Sequence, residues 1–204
     1  MTTLIATLVL GLQSGSPASY VPKGPQITFV MESGGNFTIT TDPKHSPKTV
    51  AHIVDLVRKG FYNRQRIHRV EKWVTQWGAP ASKDEPLDIK GPDGKMDLNP
   101  HIGDGGSGKQ LPFEGNREVD FYRGVVGVAS EGLQVGGDSQ LFILKKDYLR
   151  LFNSYAVVGK VTQGMNAVDA IKRGDRITKA FVVGDKQPPA KAPVKPKVAA
   201  TPRP

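Results

Sequence analysis

The sequence predicts a mainly β domain of roughly eight short strands, with one short helix early and one late, in keeping with a closed barrel capped at its ends. Two observations carry that prediction. The 204 residues include 23 Gly and 16 Pro, which make turns frequent and long helices scarce. Between the turns lie short runs that either alternate apolar and polar residues or are apolar throughout, the patterns of half-buried and fully buried strands. A chain of this length is long enough for one domain with a sizeable core plus tails.

Gln26–Met31 and Asn36–Thr41 alternate around Glu32-Ser33-Gly34-Gly35 and read as a hairpin. Asp42-Pro43 ends the second strand. Ser46 then offers an N-cap and Pro47 a first-turn proline. Val50, Ile53, Val54 and Val57 recur at helical spacing as far as Gly60, so a helix is expected from about Pro47 to Lys59. His52 and Asp55 fall off its apolar stripe and are expected in solvent. Phe61–Pro80 carries Ile67, Val70, Trp73, Val74 and Trp77, suited to pleated structure, with Arg69 and Gln76 among them. An inward-facing cation or amide must find partners, and local pattern by itself favours Arg69 in solvent above a core of rings.

Residues 81–111 read as a long polar loop with Gly-Pro-Asp-Gly at 91–94 and a glycine-rich run at 103–108. Such loops are usually functional or mobile. The Walker spacing is absent and no helix pattern follows, so a nucleotide cradle is not expected. Gly124–Ala129, Leu141–Leu144 and Val157–Val161 are short apolar strands. A second helix covers about Asn166 to Lys172 and stops at Gly174, and Thr178–Val183 is the last strand. Arg173-Gly174-Asp175 spells an adhesion tripeptide, yet Gly174 has an ordinary helix-ending role.

The ends differ in composition from the domain expected at 24–185. Residues 4–12, LIATLVLGL, are too short to span a bilayer as a helix. With the small residues at 14–19 they resemble the core and cleavage region of a secretory signal, although Met1-Thr2-Thr3 lacks a Lys or Arg. Residues 1–19 are therefore expected to be a signal peptide or a disordered N-terminus. Export to a periplasm or the medium is favoured, with a cytoplasmic location as the alternative. Residues 186–204 are Pro-, Ala- and Lys-rich, a composition that does not build a core.

The formal net charge of +9 permits weak attraction to anionic surfaces. No recognition helix or aromatic RNA-binding motif accompanies it, so no specific nucleic-acid partner is expected. A barrel that binds anions through its basic tail is the distant alternative. With no Cys there is no disulfide framework, thiolate nucleophile or Cys-based zinc site. His45, His52, His68 and His101 lack ligand spacing, and no Ser-His-Asp arrangement suggests itself.

Taken together the segments resemble the cyclophilin-type peptidyl-prolyl isomerases, from about Phe37 to Val183. The resemblance is carried by FTITTDPKHSPKTVAHIVDLVRKGFYN, IHRV, WVTQWGAP, LPFEGN, GVVGVAS, SQLFI and VVGKVTQGMNAVDAI, in family order and at nearly family spacing. It implies an eight-stranded antiparallel barrel closed by two helices, a proline-binding groove on its outer face, and no metal or organic cofactor. Proline-containing segments of client proteins would be the partners of a monomer without a membrane span. By resemblance, Arg69 is the catalytic arginine, and Gln76 and Gln140 bond the substrate backbone and brace it. Trp73, Val74, Phe142 and Leu151 form the slot for the proline ring, and Ala129 and Ser130 the edge where substrate backbone pairs. Tyr155 stands where most members have His and Arg150 where many have Trp. The link from Arg69 to Trp73 is one residue shorter than usual, and the segment between Ser130 and Ser139 one residue longer. The residues also fit a second role, a binding protein that keeps the groove without useful rate and serves as chaperone or adaptor. Their bland readings stay open too: Phe142 and Leu151 as plain core, Gln76 and Gln140 as surface amides, and His68 as a packed, hydrogen-bonded histidine.

Overall fold

The computed structural model describes residues 20–186. The 4–12 run with its export reading, and the tail beyond Lys186, lie outside the described residues. The chain runs β1 (Gln26–Met31), β2 (Asn36–Thr41), α1 (Pro47–Arg58), β3 (Arg69–Val70), β4 (Val74–Trp77), β5 (Asp88–Lys90) and β6 (Met96–Leu98). It continues through α2 (Pro100–Gly103), β7 (Val125–Val128), β8 (Leu141–Leu144), β9 (Val157–Gln163), α3 (Met165–Ala170) and β10 (Ile177–Val182). Eight strands form one sheet in the order β10-β1-β2-β9-β7-β8-β4-β3, and β5 pairs with β6 in a separate hairpin. Every pairing is antiparallel.

The structure corrects three expectations. The sheet is curled but open: β10 and β3 end it without pairing with each other, and the segments beside them meet at an isolated bridge, Arg66 to Arg176, flanked by backbone hydrogen bonds such as Arg64 N to the Ile177 carbonyl (2.7 Å) and Ile67 N to the Asp175 carbonyl (2.8 Å). The reason is local, since β3 has only two residues and the chain before it turns at Arg64, whose φ is 68°. A two-helix cap is likewise too much: α1 has 12 residues, whereas α3 has six and α2 four. The 81–111 segment is not a structureless loop either, because it holds a 3-10 turn at Pro80–Lys83, the β5–β6 hairpin and α2.

Alternation along the strands puts an apolar set on each face of the sheet. Inside, Ile27, Phe29, Phe37, Ile39, Trp77, Val126, Leu141 and Ile143 pack with Ile53 and Val57 of α1. Trp77 is fully buried and meets Phe29 and Phe37 edge-on at 5.2 and 5.8 Å. On the other face Val74, Phe121, Val125, Phe142 and Leu144 form a second cluster that Trp73, Tyr148, Leu151 and Tyr155 flank.

The start of α1 is held differently from the expected cap. Ser46 makes no side-chain cap bond. Instead the Glu114 carboxylate accepts the amides of Lys48 (3.0 Å) and Thr49 (2.7 Å), from a loop some 65 residues away, where an anion also meets the positive end of the helix. Beside it His45 bridges Asp42, through Nδ1, and Glu118, through Nε2 at 2.9 Å. Burial opposes a charge on this ring, but hydrogen bonds to the two carboxylates outweigh it and raise its pKa. Glu118 is correspondingly held down to about 2 by its bonds from His45 and Lys44. A raised histidine binds its proton more tightly when folded, so its stabilisation is complete below pH about 6.5 and fades as pH rises through the folded pKa. The melting temperature is expected to fall across that window in the parent protein, and less steeply in His45→Asn. Thermal melts at stepped pH measure the difference.

Candidate active site

Register builds the site. Arg69 on β3 faces Gln76 on β4, Gln76 faces Phe142 on β8, and Phe142 faces Gly127 on β7. Directly opposed residues project to the same side of a sheet, so one lateral row carries a cation, an amide, a ring and a gap. The gap is required, because a Cβ on Gly127 would lie 2.5 Å from Phe142 Cζ. The ring therefore leans over the bare backbone, where Tyr155 meets it edge-on at 5.3 Å and Phe121 stacks behind it at 6.3 Å.

A depression of about 140 Å³ opens there, lined by Arg69, Trp73, Val74, Gln76, Ala129, Ser130, Phe142, Leu151 and Tyr155. Every residue singled out from the sequence is among them except Gln140. That side chain instead lines an adjoining groove of about 420 Å³, which also shares Gln76, Ala129 and Ser130. Arg150 is exposed and is not part of the lining. The Ala129 amide is spent on the Gln140 carbonyl at 2.8 Å, and Ala129 follows the last residue of β7.

A hydrogen-bonded chain ties the cation to the fold. Arg69 Nη1 donates to Gln76 Oε1 (3.2 Å), and Gln76 Nε2 donates to Gln140 Oε1 (2.8 Å). Gln140 Nε2 donates to the carbonyls of Ile102 (3.1 Å), Gly103 (2.8 Å) and Gly105 (2.8 Å). A guanidinium only donates and a backbone carbonyl only accepts, so both amides are oriented from the two ends. Gln140 is buried, not a surface amide. Its replacement by leucine would leave those carbonyls and the Gln76 amide short of partners, at an expected cost of about 1–3 kcal/mol. Urea unfolding of Gln140→Leu is the measurement.

Sequence reasoning missed two parts of the site. Glu71 accepts from Arg69 Nε (2.6 Å) and from Trp73 Nε1 (2.7 Å), and the hydrogen bond from Arg69 holds its carboxyl below the usual range. The available signal was an acid two residues beyond the arginine in an extended segment, hence on the same side. His52, expected in solvent, is buried: its Nε2 lies 3.0 Å from Asp138 Oδ1, and Ser107 Oγ bonds that same oxygen. Asp138 Oδ2 also accepts the amides of Gly108 (2.8 Å) and Lys109 (3.3 Å). Ser107, His52 and Asp138 thus do come together, contrary to expectation, but not as a hydrolytic triad. Serine and aspartate meet one and the same ring nitrogen, whereas a triad needs one on each. The cluster clips the glycine-rich 103–109 loop down as a wall of the larger groove.

His68, beside Arg69, is buried as expected, yet its Nδ1 has no hydrogen-bond partner among the described residues. Burial pushes its pKa down to about 4, with Arg173 and Arg69 adding to the effect, so it is neutral at pH 7 and no proton carrier. Among the described residues no group of three or more His, Cys, Asp or Glu is placed to hold a metal ion, and no helix is long and apolar enough to cross a membrane.

A family model described as cyclophilin type peptidyl-prolyl cis-trans isomerase/CLD matches residues 27–195. The chain belongs to the cyclophilin-type peptidyl-prolyl cis-trans isomerases. A probable peptidyl-prolyl cis-trans isomerase of Brucella abortus is 34% identical over 200 residues, covering 90% of this chain and 96% of that protein. Peptidyl-prolyl cis-trans isomerase B of Bacillus subtilis is 28% identical over 158 residues, covering 76% and 96%. A cyclophilin-type isomerase of Cryptosporidium parvum shares the fold, with a TM-score of 0.62 at 16% identity, over 80% of this chain and all of that one. A second crystal structure of it, in the presence of the dipeptide Ala-Pro, matches with a TM-score of 0.61 at 16% identity, over 78% of this chain and 99% of that one. The chain is accordingly a peptidyl-prolyl cis-trans isomerase whose cyclophilin-like fold is a curled eight-stranded antiparallel sheet.

Proposed function

We propose that this isomerase seats the proline of an exposed X-Pro segment on Phe142, between Trp73, Val74, Leu151 and Tyr155, with Arg69 beside the imide nitrogen. Rotation about a peptide bond crosses about 18–20 kcal/mol because amide resonance is lost on the way. Halfway round, the proline nitrogen regains a lone pair that neither planar isomer offers. A donor fixed at that nitrogen binds the twisted state better than either ground state, which is the requirement for catalysis. Arg69 supplies that donor, permanently charged and rigidly forked. Gln76 and Gln140 keep it in place, and the Ala129 carbonyl and Ser130 present backbone-level partners to the segment.

One juxtaposition carries the reading: a braced guanidinium and an apolar slot share a single depression about the size of one small ring. The Ala-Pro dipeptide named for the Cryptosporidium structure supports the ligand class. Clients would be folding or unfolded chains, met outside the cytoplasm if residues 1–19 act in export. N-terminal sequencing of the natural product tests the latter, with a start beyond residue 14 expected. Exchange spectroscopy on a short Ala-Pro peptide tests the isomerisation at this site. Cis–trans cross peaks should appear with catalytic amounts of protein on a timescale far below the uncatalysed tens to hundreds of seconds. Their absence would leave only a proline-binding role.

A further inference from the structure

The Arg69 guanidinium has three nitrogens, and two of them already donate to the protein. Nη1 donates to Gln76 Oε1, and Nε donates to Glu71 Oε1 at 2.6 Å. Nη2 makes no hydrogen bond to any described residue and is the nitrogen that keeps both its N–H groups for a substrate. Because the guanidinium is planar and rigid, fixing two corners fixes the direction of the third. Gln76 alone would leave the fork free to turn about its single bond. The second oxygen of Glu71 takes the indole N–H of Trp73 at 2.7 Å, and the Trp73 ring stacks on Tyr148 at 4.5 Å and lies 5.4 Å from Arg69 Cζ.

We infer that Glu71 is a positioning residue for the isomerisation: one carboxylate aims Arg69 Nη2 at the proline slot and pins the Trp73 wall of that slot. The inference rests on the isomerase reading of this site. Its role is not one of stability, since the ion pair is about two-fifths exposed on both sides and such pairs hold a fold only weakly. An anion beside the cation also weakens the field that Arg69 exerts, so a carboxylate here is useful only for the direction it imposes. The depressed pKa of Glu71 keeps it ionised, and thus a double acceptor, at neutral pH. Glutamine at 71 would offer one neutral acceptor oxygen where the carboxylate offers two charged ones, so the two donors must share it or one bond is lost.

The test compares the parent, Glu71→Gln and Glu71→Ala by exchange spectroscopy on an Ala-Pro peptide, alongside the side-chain nitrogen spectrum of the protein. For Glu71→Ala, kcat is expected to fall roughly tenfold through misaimed geometry, with KM changing about twofold at most and Glu71→Gln intermediate. The Arg69 Nε–H signal, sharp and solvent-protected in the parent, should broaden, and the Trp73 indole proton should move upfield. Melting temperatures should stay within roughly 3 °C of the parent, as expected of an exposed substitution. Parent-like kcat in Glu71→Ala would overturn the inference while leaving the isomerase reading intact. Reduced kcat with an unchanged Arg69 signal would overturn it too, because the loss would not pass through the arginine. A parent protein that does not exchange the peptide would instead remove the isomerase reading itself.

Discussion

Arg69→Ala is expected to lower kcat/KM for an Ala-Pro peptide about 100-fold or more, the loss typical of deleting one preorganised transition-state donor. Peptide affinity should change far less, because the apolar contacts of the slot do not involve the guanidinium. The expected split follows from where charge develops. A planar imide nitrogen has almost no lone pair to offer, so the donor has little to bind until the bond has turned. Arg69→Lys should rescue little of the rate. A lysine ammonium has no planar fork to be held at two corners by Gln76 and Glu71, so the remaining charge is unaimed. Stability should stay close to the parent in both variants, since Arg69 lies in a two-residue edge strand and is half-exposed. Exchange rates measured over a range of peptide concentrations separate the two parameters.

Phe142→Ala is expected to act on fold and function together. The ring is 4% exposed and fills the outer cluster between Phe121 and Tyr155, over Gly127. Removing such a ring costs about 3–5 kcal/mol, and the neighbours here have little freedom to collapse because Gly127 offers no side chain to fill the space. The slot would lose its floor as well, so KM should rise even where the variant is folded. Chemical unfolding gives the first quantity, and peptide titration at low temperature the second. A cost under 1 kcal/mol would mean the outer cluster relaxes around the gap and is not the packed unit described above.

Much of this was legible in the sequence, for reasons that differ from residue to residue. The β1–β2 hairpin and α1 follow from local periodicity and punctuation, and they appear within a residue or so of expectation. Nine of the ten site residues fall around one depression because an ordered set of motifs fixes strand register, and register decides which side chains share a face. What local pattern misses is long-range satisfaction of polar groups. His52 looked solvated because it sits off the apolar stripe of α1, yet Asp138, 86 residues on, buries it. The amides at the start of α1 go to Glu114 and not to Ser46, a choice made by a distant loop. Glycines at 91–94 and 103–108 suggested an unstructured loop, but they serve the turn of the β5–β6 hairpin and the approach to Gln140. Barrel closure failed for a similar reason: eight strands can be counted from patterns, whereas whether the first and last pair depends on the two-residue length of β3.

The central claim is geometric, and a crystal structure with an Ala-Pro-containing peptide tests it most directly. The proline ring is expected against Phe142 and between Trp73 and Leu151, with Arg69 Nη2 the nearest protein nitrogen to the imide nitrogen and its bonds to Glu71 and Gln76 unbroken. A peptide bound elsewhere, or in the slot with the guanidinium swung into solvent, would contradict it.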